Sequence, residues 1–145
     1  MSYKLKEKRT EPRKPGKWIY PKTRKAIYLR DGHKCLYCGR TPQEHGIQLS
    51  LDHLKPWIYF GSDRHTNLVT CCRSCNSKRG DKSLHQWYKV LLKEEIATKE
   101  KIEEIKIYIT SIKRRSDSNI QKYRDIISGK KPYCRVDKKH KLKGK

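Results

Sequence analysis

An α+β fold, a small strand–strand–helix finger followed by C-terminal helices, is what this 145-residue sequence predicts, and three observations predict it. Two Cys-x-x-Cys pairs, Cys35-Leu36-Tyr37-Cys38 and Cys72-Arg73-Ser74-Cys75, stand with 33 residues between them. Each pair makes a tight turn that aims both sulfurs at one point, so the four thiolates suit a single tetrahedral zinc. Ile47, Leu49 and Leu51 alternate with Gln48, Ser50 and Asp52, the period of a half-buried strand over 47–54. Leu68-Val69-Thr70 supplies a second short strand to pair with it, and the chain turns helical from Arg73. After Gly80, apolar residues recur at helical spacing through Leu84, Trp87, Tyr88, Leu91 and Leu92.

Composition narrows what such a fold can do. Only 34% of residues are hydrophobic, with one Phe and one Met, so the core is small. Zinc compensates for a small core because its binding free energy becomes folding free energy, on the order of 10–16 kcal/mol in zinc peptides. Lys and Arg total 37 against 15 acidic residues, a net charge of +22 that calls for a polyanionic partner, nucleic acid first. The sequence contains no run of 18 apolar residues, no signal-peptide core and no lipidation motif, which argues against a membrane and for an intracellular, cytoplasmic protein. Four of the six cysteines fall in metal-type pairs, unlike a secreted disulfide scaffold.

In chain order, residues 1–19 form a basic arm with Pro12, Pro15 and Gly16 and no apolar period, suited to phosphate contact or to solvation alone. Residues 20–92 form the finger and its knuckles. Ala26, Ile27, Leu29 and Arg30 fit a short helix that starts near Pro21 and stops at Asp31-Gly32. Tyr28 and Tyr37 are expected to pack around the zinc, and Gly39 to make the left-handed turn after Cys38. Residues 55–66 form a loop with Trp57, Tyr59, Phe60, Gly61, Ser62 and Asp63, and His65 there is a second-choice metal or phosphate contact. A helical extension spans 93–129. In it Ile102, Ile105, Ile109 and Ile112 repeat at 3, 4 and 3, a seam expected to fold back on the N-terminal helix rather than to join two copies. Ile120, Tyr123 and Ile127 continue it after a break at Ser116-Asp117-Ser118-Asn119. Residues 130–145 are a basic tail expected to be disordered, with Cys134 a lone thiol.

These residues resemble the four-cysteine branch of the HNH endonucleases, whose core is the ββα-metal finger. The resemblance covers about residues 24–88 and rests on Asp52-His53 at the end of the first strand, Asn67-Leu68-Val69 opening the second, and Cys72-Arg73-Ser74-Cys75-Asn76 opening the helix, with Lys78-Arg79-Gly80 after it. Asn76 stands where the family name places a His, and Phe60-Gly61-Ser62 stands where a Gly-Gly is common, which leaves the loop geometry open. The resemblance implies a metal-dependent DNA endonuclease of the kind phages and mobile elements encode. It further implies a single metal on the scissile phosphate, products ending in 5′-phosphate and 3′-hydroxyl, and Asn67 holding the loop and orienting His53 through its backbone.

The residue chemistry points the same way. Hydrolysis of a phosphodiester needs an attacking hydroxide and neutralisation of charge on the phosphoryl and leaving oxygens. His53, with an ordinary pKa of about 6.5, suits a general base. Asp52 and Asn76 offer hard oxygen ligands for Mg²⁺ or Mn²⁺, while Cys35, Cys38, Cys72 and Cys75 hold the structural zinc. Lys78, Arg79 and Lys82 beside the helix are expected phosphate contacts on duplex DNA, structured or nicked duplexes included. Asn76 also suits a helix N-cap, and Asn67 an ordinary turn. Two other readings stay open: a zinc-stabilised nucleic-acid-binding module that does not cut, and a subunit of a larger DNA-processing complex that cuts only with partners; a homodimer or other DNA-processing proteins stay open as partners.

Overall fold

The computed structural model describes residues 7–13, 18–115 and 117–130. The basic tail after residue 130, with Cys134, and parts of the basic arm lie outside the described residues. Helix α1 (Pro21–Arg30) starts with proline in its first turn, where a missing N–H costs nothing. The first knuckle follows, with Gly39 at φ 75°, the left-handed conformation its glycine was expected to supply. A one-turn helix α2 (Pro42–His45) leads to strand β1 (Leu49–His53), two residues shorter at its start than the alternation predicts. Two 3-10 turns, Trp57–Tyr59 and His65–Asn67, lie in the loop before strand β2 (Leu68–Cys72).

β1 and β2 pair antiparallel, with Ser50 opposite Cys71, Asp52 opposite Val69 and His53 opposite Leu68. Helix α3 (Arg73–Arg79) begins directly from β2 and is capped by Cys72, whose sulfur accepts from the Cys75 N–H at 3.4 Å. The N-cap role open to Asn76 therefore belongs to Cys72, and Asn76 sits inside the helix. Helix α4 (Leu84–Lys93) opens with a reciprocal cap: Ser83 Oγ accepts from the Gln86 N–H at 3.2 Å, and Gln86 Oε1 accepts from the Ser83 N–H at 3.0 Å. Helices α5 (Lys99–Lys113) and α6 (Asp117–Ile127) follow, the last helices among the described residues. The break before α6 is shorter than expected, since Asp117 already lies in its first turn. Among the described residues, no helix is long and apolar enough to cross a membrane.

A two-stranded hairpin is marginal alone and must cover its faces, and here both are covered. On one side lies a core of Cys35, Tyr37, Val69, Cys71, Trp87 and Leu91, joined by Ile102, Ile105, Ile109 and Ile112 of α5. All four isoleucines are buried, each contributing roughly 1.5–3 kcal/mol. The seam of α5 is thus spent inside the fold, against the cysteine finger. It meets the end of α1 through Tyr108, whose hydroxyl donates to the Asp31 carboxylate, rather than folding back along that helix. The opposite side is a smaller core of Ile19, Ala26, Ile27, Leu51, Leu68 and Ile120, so α6, not α5, is the helix that packs on α1. Tyr28 belongs to this second core and donates to the Leu49 carbonyl at 3.2 Å, away from the cysteines it was expected to flank.

Buried polar groups tie the two sides together. Arg30 pairs with Asp31 and donates to the carbonyls of His65 at 2.9 Å and Leu68 at 2.6 Å, while Asp31 accepts from the Thr70 N–H at 2.8 Å. His65 is buried, and its Nε2 meets Asp117 Oδ1 at 2.9 Å, which pins the start of α6. That bond, with Arg64 beside it, holds the Asp117 carboxyl below the usual carboxylate range. His65 is accordingly a packing residue and not a metal or phosphate contact.

Candidate metal centre and strand-end site

The four knuckle cysteines converge. The sulfurs of Cys35, Cys38, Cys72 and Cys75 lie within 4.8 Å of one another, and Cys38 Sγ is 3.8 Å from Cys72 Sγ. Tetrahedral zinc with Zn–S bonds of ~2.3 Å needs sulfurs about 3.8 Å apart, so the cluster has the dimensions and the soft donors for that ion. The N–H of Cys38 points at Cys35 Sγ at 3.4 Å, and that of Cys75 at Cys72 Sγ, the turn geometry that stabilises thiolates. A hydrogen bond from Cys75 holds the Cys35 thiol down at about 5. The same bond and burial push Cys75 up, and burial chiefly pushes Cys38 to about 11. Cys71, next to Cys72, stays out of the cluster. It is a buried core residue whose thiol burial pushes up, as its spacing from Cys75 implies.

Asp52, at the end of β1, is not on an open polar face as the alternation suggests. It is 4% exposed, because α3 and the first knuckle cover the face that carries Ser50 and Asp52. Tyr37 Oη donates to Asp52 Oδ2, and Arg79 Nη1 forms a buried ion pair with the same oxygen. Both of these partners fall on Oδ2. Burial raises the Asp52 pKa above the ordinary aspartate value, with Arg79 and Tyr37 opposing the rise. Burial also pushes the Tyr37 hydroxyl well above its ordinary range, so it stays a proton donor.

Arg79 corrects the sequence reading. Expected as a phosphate contact, it is fully buried and spends its guanidinium on protein: besides Asp52 it donates to the carbonyls of His53 at 3.2 Å, Leu54 at 2.8 Å and Lys82 at 3.0 Å. Lys78 and Lys82 remain on the surface, Lys78 3.2 Å from Glu94 and Lys82 donating to the Lys78 carbonyl at 2.9 Å.

Asn76 lies one turn before Arg79 on the same face of α3. Its Nδ2 donates to Ser50 Oγ at 3.1 Å and to the Leu51 carbonyl at 3.3 Å, so its amide nitrogen faces β1. Asn67 zips the loop: its Oδ1 accepts from the Lys55 N–H at 2.9 Å, and its Nδ2 donates to the carbonyls of Lys55 at 3.1 Å and Ser62 at 2.8 Å. Its own carbonyl accepts from the Leu54 N–H at 2.8 Å. Phe60 adopts φ 66° where a glycine is common, and Gly61 cannot carry a side chain, since a Cβ there would lie 1.8 Å from the Lys55 carbonyl oxygen.

His53 projects from the opposite face of β1, and its ring contacts Trp18 and Asp63 rather than Asp52 or Asn76. The Trp18 and His53 ring centres are 5.0 Å apart, and His53 Nε2 is 2.8 Å from Asp63 Oδ1. Neither partner is legible as functional in the sequence. Trp18 lies in the basic arm, and Asp63 sits among Gly and Ser in a stretch that reads as an ordinary turn. Tyr37 carries a clearer signal, since a tyrosine between two knuckle cysteines has little choice but to point inward.

Residues 35–91 match the family model described as HNH endonuclease. A curated relative, "SPbeta prophage-derived putative HNH endonuclease YoqL" of Bacillus subtilis (strain 168), is 31% identical over 62 residues, 39% of this chain and 27% of that relative. The chain therefore covers about a quarter of that relative's length. The matched segment begins at the first knuckle cysteine and includes the Asp52-His53 strand end, Asn67, the second knuckle and Asn76, followed by α4 as far as Leu91. Its four cysteines, two-stranded hairpin and following helix stand in one compact arrangement, and over residues 35–91 the chain is similar to the HNH endonuclease family.

Proposed function

We propose that this protein is a metal-dependent endonuclease that hydrolyses DNA phosphodiester bonds, with His53 as general base. The observation that carries the proposal is the pair of oxygen donors beside the His53 strand. Asp52 is locked through one carboxylate oxygen by Tyr37 and Arg79, and Asn76 is held through its amide nitrogen by Ser50 and Leu51. Each keeps one oxygen for a hard cation. Carboxylate and amide oxygens suit Mg²⁺ or Mn²⁺, which would neutralise charge on the phosphoryl and leaving oxygens.

His53 takes a proton from water as the water oxygen bonds phosphorus. The bond from phosphorus to the 3′-oxygen breaks, the leaving oxygen takes a proton from solvent, and the products end in 5′-phosphate and 3′-hydroxyl. Asn67 keeps the 55–67 loop closed beside the base. The structural ion is zinc, held by Cys35, Cys38, Cys72 and Cys75. The net charge of +22 supports duplex DNA as the substrate, and Lys78 and Lys82 supply phosphate contacts.

The test incubates supercoiled plasmid with the zinc-loaded protein and Mg²⁺ or Mn²⁺, beside His53→Ala. Loss of the base lowers the rate by roughly 10²–10⁴-fold with DNA affinity intact. Equal cutting by both proteins refutes the assignment. DNA binding with no cutting by either returns the reading to a zinc-stabilised binding module.

A further inference from the structure

The His53 ring is held on two sides by groups outside the family motif. Asp63 Oδ1 meets Nε2 at 2.8 Å, and the Trp18 ring lies at 5.0 Å, tilted 30° to the imidazole. The His53 side chain is 14% exposed and that of Asp63 37%. An ionised carboxylate only accepts hydrogen bonds, and a neutral imidazole carries one N–H. Nε2 must therefore bear the hydrogen, which leaves the lone pair on Nδ1.

We infer that Asp63 is a positioning residue for His53: it fixes the Nε2–H tautomer, so that Nδ1 is the atom that takes the proton from water. The inference deepens the nuclease reading and rests on it.

The surroundings fit that task. Asp63 follows Ser62, whose carbonyl accepts from Asn67 Nδ2, so the loop that carries the carboxylate is tied to the strand that follows. The close approach of Gly61 to the Lys55 carbonyl makes the same turn tight. Arg13 Nη1 reaches the other oxygen, Oδ2, at 3.4 Å, with its guanidinium 4.8 Å from the Trp18 ring and 4.7 Å from the Trp57 ring. The carboxylate is thus fixed at both oxygens, by the base it orients and by the arm. When Nδ1 takes a proton from water as the oxygen bonds phosphorus, the imidazolium that forms has a negative charge at its far nitrogen. The proton leaves Nδ1 for solvent after the bond to the 3′-oxygen has broken. Asp–His pairs in hydrolases work on the same logic of tautomer and charge.

The full zinc-loaded chain, labelled with nitrogen-15 at histidine, provides the test together with Asp63→Ala, Asp63→Asn and Asp63→Glu. In the wild type, His53 should show an N–H at Nε2 and a pyridine-like nitrogen at Nδ1. Asp63→Ala should lower kcat about 10–100-fold, the range found when the outer hydrogen-bond partner of a metal-binding histidine is removed. Its Kd for plasmid DNA should not change. Asp63→Asn, nearly isosteric, should lower kcat as well, and Asp63→Glu should restore most of it. An N–H at Nδ1 in the wild type overturns the inference, and so does Asp63→Ala with wild-type kcat. A wild-type chain that cuts no DNA with either metal overturns the nuclease reading and this role with it, while the tautomer measurement still decides whether the pairing exists.

Discussion

Replacing Arg79 with Ala separates its buried role from the phosphate contact that its place in the sequence suggests. The guanidinium is fully buried, neutralises a carboxylate that is 4% exposed, and satisfies the carbonyls of His53, Leu54 and Lys82. Breaking one side of a buried pair costs about 3–5 kcal/mol, because the other charge stays buried without its partner. The orphaned carbonyls raise the cost within that order, and some relief comes from Tyr37, which still donates to Asp52. For a chain of this size the loss corresponds to a fall in Tm of about 10–15 °C. The deficit should depend on pH with a definite sign. Asp52 already sits above its ordinary range through burial, and without Arg79 it rises further. A folded-state value above the ~3.9 of an unfolded aspartate means that stability is lost as pH rises, so the variant should fall furthest behind at neutral and alkaline pH and recover in acid. Calorimetry at several pH values measures this. A DNA contact predicts instead an unchanged Tm and a salt slope of affinity flatter by about 0.9 unit. An Arg79→Ala protein that melts like the wild type refutes the buried role.

Four other perturbations separate the remaining parts. Asp52→Ala or Asn76→Ala should raise the Mg²⁺ or Mn²⁺ concentration needed for half-maximal cutting, and an unchanged metal titration would count against them as ligands. Cys75→Ser should lose its zinc and fail to fold, because ligand loss removes folding free energy. EDTA should stop cutting of the wild-type chain before circular dichroism shows any melting, whereas folded wild type without zinc by elemental analysis would refute a structural zinc site. Gly61→Ala should open the loop, since the Lys55 carbonyl lies 1.8 Å from the added carbon, with kcat falling more than Tm. Wild-type cutting by that variant would show that the turn does not position the site.

The elements that the sequence announces are those with a local signal. Pro21 and Asp31-Gly32 bracket α1, the apolar spacing from Leu84 to Leu92 marks α4, and the cysteine spacing fixes both knuckles and so the start of α3. What it does not announce depends on which apolar face meets which. The isoleucines of α5 have a clear period, but a period names a buried face and not its partner, and the partner is the cysteine core rather than α1. The same limit applies to Arg79. Its place after Lys78 on a short helix resembles a basic surface, and only the path of β1 beneath α3 turns it inward to Asp52. Asp63 is ten residues from His53 in sequence and reaches it only because Asn67 and Gly61 fold the intervening loop, so no spacing rule points to it.

The alternation of β1 gives the site its division of labour. Successive residues of a strand face opposite sides, so Asp52 and His53 cannot share a wall. Asp52 faces the cysteine core, where Tyr37 from the first knuckle and Arg79 from the helix of the second knuckle hold it. His53 faces the arm and the loop, where Trp18 and Asp63 hold it. In the proposed mechanism the ligand oxygen is thus braced by the part of the fold built around the four cysteines, while the proposed base is braced by a surface loop and the basic arm. Damage to the knuckles should act on metal affinity through Tyr37 and Arg79, and changes in the arm at Arg13 or Trp18 should act on the proton-transfer step with the metal titration unmoved. A Trp18→Ala variant that shifts the metal titration as strongly as Asn76→Ala would show that the two walls are not independent.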